Sequence, residues 1–217
     1  MKPPEACIFD LDGVIVHTSQ FHYQSWKILA DSLSIPFNKK DNEMLKGVSR
    51  EDSLKKILAL DNRWLNNKEF NRLLDKKNEH YLQLVSELQP GDVLEGVYSF
   101  MKALRSQNIK MAVGSSSKNA QRIIDKLELN EMFQAVIDGT KVEKTKPHPE
   151  VFLRGAKALN VQPAKCVVFE DAGSGIDAAK AAGMTAIGVG SSEMLNHAEY
   201  IINSFEGLTP KKLWSKL

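Results

Sequence analysis

The sequence predicts an α/β fold: a mainly parallel, doubly wound sheet covered by helices on both faces, with a helical domain inserted near its start. Three observations lead there. Short apolar runs rich in β-branched residues recur along the chain, helix-length patterns alternate with most of them, and one long segment, from about Ser19 to Gln89, has helix patterns but no strand signal. Strands joined through helices run parallel, because a crossover must carry the chain back to the starting edge before the next strand begins. The architecture expected is therefore a Rossmann-like sheet, with its ligand beyond the carboxyl ends of the strands.

The first strand is ACIF (6–9), whose unbroken apolar character suits a strand buried on both sides. The inserted segment follows. QFHYQSWKILADSL (20–33) and REDSLKKILAL (50–60) are amphipathic helix patterns, Pro36 separates them, and Pro90-Gly91 marks the return to the sheet. The expected division is a core of residues 1–15 and 91–217 with a helical cap of residues 16–90, hinged near 14–18 and 86–93. Beyond it come helix VYSFMKALRSQN (97–108), strand IKMAVGS (109–115), helix NAQRIIDKLEL (119–129) and strand AVIDG (135–139). A helix starting in KTKPHPEVF (144–152) leads to strand KCVVFE (165–170), and helix DAAKAAG (177–183) ends at a glycine suited to a C-cap. TAIGVG (185–190) is the fifth strand and EYIIN (199–203) a weaker sixth.

Composition narrows the function. The 217 residues are 42% hydrophobic and 26% charged, and 29 basic against 27 acidic residues give a net charge of +2. Both signs are well mixed, so no basic stripe speaks for nucleic acid or an anionic membrane. Small-molecule partners are expected. Cys7 and Cys166 lie inside apolar strands, where a thiol acts as a small hydrophobe. Asp10 arrives too early for a secretory leader and no run of about 18 apolar residues occurs, so a cytoplasmic protein is expected. With no spare apolar stretch in view, a monomer is the expected state.

The chemistry gathers at strand ends. In FDLDG (9–13), Asp10 and Asp12 are two apart and can converge just past the first strand, and Gly13 lets the backbone approach whatever they hold. Alone, such a pair could equally be a capped turn beside a solvated carboxylate. VFEDAG (168–173) brings Glu170 and Asp171 to the end of another strand. Four clustered carboxylates repel unless a cation joins them, and hard oxygen ligands without Cys or His favour Mg²⁺. In VGSSSKN (113–119), Ser115 and the amides of Ser116 and Ser117, followed by Lys118, offer contacts to phosphate oxygens, although a plain helix cap reads the same way. Lys146, before a Pro-bounded turn, can supply a fixed positive charge beside a phosphoryl group.

Taken in order, FDLDG, VGSSS, Lys146 in TKPHP, and ED before a Gly-rich turn resemble the four signature motifs of the haloacid dehalogenase superfamily of aspartyl phosphotransferases. The likeness spans essentially the whole chain. It implies Asp10 as nucleophile, Asp12 as general acid/base, and Mg²⁺ held by Asp10, Asp12 through its backbone carbonyl, and Asp171, with Glu170 beside them. The helical insert looks like the cap of that superfamily, and NEMLKGVSREDSLKKIL (42–58) is similar to the cap of its glucose-phosphate mutases. That likeness implies β-glucose 1-phosphate, β-glucose 1,6-bisphosphate and glucose 6-phosphate as ligands, with a sugar-phosphate phosphatase as the rival activity. It places His22, Trp26, Lys46, Gly47, Val48, Ser49, Arg50, Ser53 and Lys77 around the sugar, Arg50 taking the second phosphate. Two positions depart from the pattern: His17 stands where Asp is frequent, and Ala172 where some members have Ser.

Overall fold

The computed structural model describes residues 2–45, 47–190 and 193–217. Among them six strands form one parallel sheet in the order β3-β2-β1-β4-β5-β6: β1 (Ala6–Phe9), β2 (Lys110–Gly114), β3 (Ala135–Ile137), β4 (Cys166–Glu170), β5 (Thr185–Val189) and β6 (Tyr200–Ile202). β1 is central and wholly buried, as its apolar run requires. Its alternating side chains feed two cores. Cys7 and Phe9 join the helices α5 (Val97–Ser106), α6 (Ala120–Lys126) and α9 (Pro210–Trp214), while Ala6 and Ile8 join α7 (Glu150–Leu159) and α8 (Gly173–Ala181).

Between β1 and α5 lie α1 (Ser19–Ser32), α2 (Lys39–Glu43), α3 (Arg50–Ala59) and α4 (Asn67–Ser86). Each of the last three starts on an asparagine or serine cap: Asn38 makes a capping box with Asp41, Ser49 accepts from the Asp52 amide, and Asn66 accepts from the Glu69 amide. These helices bury an apolar cluster of their own, including Trp26, Leu29, Phe37, Leu54, Ile57 and Leu74. The chain enters and leaves this insert side by side: Val16 bridges to Val93, and the Leu94 amide donates to the Ile15 carbonyl at 2.9 Å. No described helix is long and apolar enough to cross a membrane.

α8 differs from expectation, because it begins at Gly173 rather than in DAAKAAG. The cause is close packing: a Cβ on Gly175 would run into the Glu170 carboxylate, so the glycine-rich turn can wind into helix directly against the strand end.

Candidate active site

Parallel strands place their carboxyl ends on one side, and β1 is flanked there by β2 and β4, from which the chain departs in opposite senses. Asp10, Ser115, Asp138 and Glu170 all sit at these ends, and all four are buried. Above them opens a cavity of about 370 Å³ roofed by the inserted helices. It is lined from the sheet side by Asp10, Asp12, Ser115, Ser116, Ser117, Lys118, Glu170 and Asp171, and from the insert by His22, Trp26, Gly47, Val48, Ser49, Arg50, Ser53 and Lys77. Of the residues singled out in the sequence, Lys46 lies outside the described residues and Lys146 lies behind the wall.

Lys146 is 3% exposed and donates to Asp10 Oδ1 at 2.5 Å and to Glu170. Burial alone would drive its proton off, but the two carboxylates more than reverse this and hold it charged. Phe9 and Phe169, opposite each other in register, stack with ring centroids 4.8 Å apart directly beneath these groups. Each acid is thereby fixed to a strand end whose position the aromatic core determines.

Three carboxylates, those of Asp10, Glu170 and Asp171, each place an oxygen within 4.8 Å of the others. Asp12 lines the same cavity, although its carboxylate is not one of these three. Asp12 lies just beyond the strand, ahead of a turn where Gly13 takes φ +82°. Its Oδ2 instead lies 3.9 Å from His22 Nε2, and its Oδ1 is buried with no hydrogen-bond partner among the described residues. Burial, and then the charge of Asp10, push the Asp12 carboxyl up to about 7. Gly13 is needed at this turn, since a Cβ there would strike the Asp171 carboxylate.

Asp10, Glu170 and Asp171 suit a hard divalent cation. Lys146 brings a single positive charge to the three, and burial followed by the charge of Asp10 raises Glu170 despite Lys146. Glu170 accepts from Lys146 and from the Ala172 amide at 3.0 Å, and Asp10 shares that same lysine.

The serine loop is arranged differently from a row of free amides. The Ser115 amide donates to Ile137, and the Ser117 amide donates to Ser115 Oγ at 3.1 Å, so Ser117 helps orient the Ser115 hydroxyl. Ser116 Oγ donates to the Gly47 carbonyl of the insert at 2.9 Å. Two neighbours make the same crossing: Lys118 pairs with Glu51 at 2.6 Å, and Asn119 donates to Asn78 Oδ1 at 2.9 Å. Glu51, Asn78 and Asn119 were not singled out, although Glu51 and Asn119 stand inside the motifs quoted above. Their position in the first turn of α3, on α4 and just before α6 is the signal that sequence alone did not weigh.

On the insert, Lys77 Nζ approaches His22 Nδ1 at 2.9 Å and lies 4.8 Å from the Trp26 ring and 4.6 Å from that of Tyr81. Burial, then Lys77 and Arg50, keep His22 well below its ordinary pKa and hence neutral. With Nζ donating, the imidazole proton resides on Nε2, toward Asp12. Trp26 is both a cavity wall and part of the insert's apolar cluster. Arg50 opens α3 above the cavity, half-buried.

The profile of the haloacid dehalogenase-like hydrolases matches residues 4–183. The chain is 42% identical over 207 residues to the β-phosphoglucomutase of Bacillus subtilis, covering 94% of this chain and 92% of that one. It is 31% identical over 186 residues to a phosphorylated-carbohydrates phosphatase of Thermotoga maritima, covering 84% and 83%. The crystal structure of a β-phosphoglucomutase from Clostridium difficile matches with a TM-score of 0.94 at 40% identity, over 98% of this chain and 96% of that one. A parallel sheet carrying Asp10, Ser115 and Asp171 at its strand ends, with Lys146 paired to Asp10 and this matched profile, makes the chain a member of the haloacid dehalogenase-like hydrolase family.

Proposed function

We propose that this protein catalyses the β-phosphoglucomutase reaction, interconverting β-glucose 1-phosphate and glucose 6-phosphate through an aspartyl-phosphate and β-glucose 1,6-bisphosphate. The observation that carries the reading is Asp12: a carboxyl held at about 7, inside a roofed cavity shared with Asp10 and lined by sugar-sized polar groups. Close likeness to two β-phosphoglucomutases supports it.

Asp10 attacks phosphorus, so that a carboxylate–phosphorus bond forms as the bond from phosphorus to the sugar oxygen breaks. Asp12 gives its proton to that departing oxygen. In the return half, Asp12 takes the proton of the incoming sugar hydroxyl as that oxygen attacks the aspartyl-phosphate. Lys146 and Ser115 draw charge from the phosphoryl oxygens, while Arg50 and Lys118 hold the phosphate that is not reacting. A Mg²⁺ ion on Asp10 and Asp171, with Glu170 beside them, would screen the nucleophile from the anion it attacks. The insert, resting on the 116–119 loop through Ser116 and Asn119, excludes the water that would otherwise hydrolyse the aspartyl-phosphate.

The test supplies Mg²⁺, β-glucose 1-phosphate and a trace of the 1,6-bisphosphate, and follows glucose 6-phosphate and free phosphate in parallel. Glucose 6-phosphate in large excess is expected. Free phosphate keeping pace with substrate loss would assign the site to a phosphatase, as in the Thermotoga maritima relative. Asp12→Asn should fold and lose roughly 10²–10⁴-fold in turnover, and wild-type rates would remove Asp12 from its role.

A further inference from the structure

Of the two cations assigned to the non-reacting phosphate, Lys118 is already engaged. Glu51 follows Arg50 in the first turn of α3, and its Oε1 lies 2.6 Å from Lys118 Nζ on the opposite, sheet-side wall of the same cavity. Both side chains remain partly exposed, at 37% and 43%, so the pair can exchange partners without unpacking a core. The Glu51 carboxylate also lies within the field of Arg50.

We infer that Glu51 is an internal competitor for the distal phosphate, a carboxylate that occupies Lys118 until a phosphate displaces it and that thereby sets which anions the site accepts. This rests on the reading of Arg50 and Lys118 as the distal phosphate wall. A bare pair of cations in a semi-enclosed cavity would collect any available anion. With Glu51 in place, an anion must exchange against an existing ion pair. A dianionic phosphate whose sugar also engages the insert makes that exchange readily, and a weak or singly charged anion does not. Glu51 is on this account a specificity-determining residue, acting through repulsion of the wrong ligand as much as through attraction of the right one.

The opposite role is available to the same contact. Were the pair a strap that holds the insert against the sheet, its loss would loosen the cavity and weaken ligand binding. The sign of one measurement therefore decides. The dissociation constant of glucose 6-phosphate is measured by calorimetry, with Mg²⁺ and no bisphosphate, for the wild type, Glu51→Gln, Lys118→Ala and the double variant. Binding to Glu51→Gln should tighten by roughly two- to fivefold, as fits a partly exposed ion pair. The same substitution should change nothing in the Lys118→Ala background. Weaker binding, unchanged binding, or an equal change with and without Lys118 would each overturn the inference. Free phosphate assayed in the same samples separates a failure of the mutase reading, which would release it, from a failure here, which would not.

Discussion

A lysine 2% exposed and set between two aromatic rings has to give up something, and Lys77 gives up part of its affinity for a proton. Burial, then the charge of Arg50, lower it from 10.5 to about 7, with Asp12 opposing. Between those two values the unfolded chain binds a proton that the folded chain does not. Stability attributable to this group therefore rises as pH climbs from about 7 toward 10, and below about 7 its cost is full and constant. The stability difference between wild type and Lys77→Met, from urea midpoints at several pH values, should move in favour of the wild type by up to ~1.4 kcal/mol per pH unit in that window. A difference that stays flat would mean that Lys77 keeps its charge. That Lys77 and His22 face the cavity was expected only from family likeness. Their mutual contact joins residues 55 apart in sequence and leaves no local mark.

At the scale of elements, the inner strands were legible because a strand buried on both faces is a largely apolar run, as ACIF, CVVFE and TAIGV are. The start of α8 was not, because it depends on how near Glu170 lies to Gly175, a distance set by the sheet. Gly175→Ala tests the strand-end packing. Its methyl group must displace the Glu170 carboxylate and with it Lys146, so a stability loss of about 1–3 kcal/mol is expected, together with a weaker response of activity to Mg²⁺. A normal melting temperature with normal metal activation would show that the strand end has room to yield.

At the scale of the molecule, closure rests on a few polar contacts between the 116–119 loop and the insert. Asn78→Ala removes the acceptor of the Asn119 amide while leaving Asp10 and Asp12 untouched. Because one hydrogen bond contributes about 0.5–1.5 kcal/mol, free phosphate should rise roughly two- to tenfold relative to glucose 6-phosphate in the parallel assay. An unchanged ratio would place water exclusion elsewhere. The crossing at the base of the insert has a different consequence. Val16 and Val93 are bridged and Leu94 bonds back to Ile15, so the two ends of a long excursion meet within one hydrogen bond of each other. To the sheet, the excursion is a single surface loop whatever its contents. The roof is in this sense a replaceable cassette: a short turn from Val16 to Val93, or another helical bundle with adjacent ends, could take its place without rethreading a strand, and selectivity could be rebuilt above a reactive floor that stays the same.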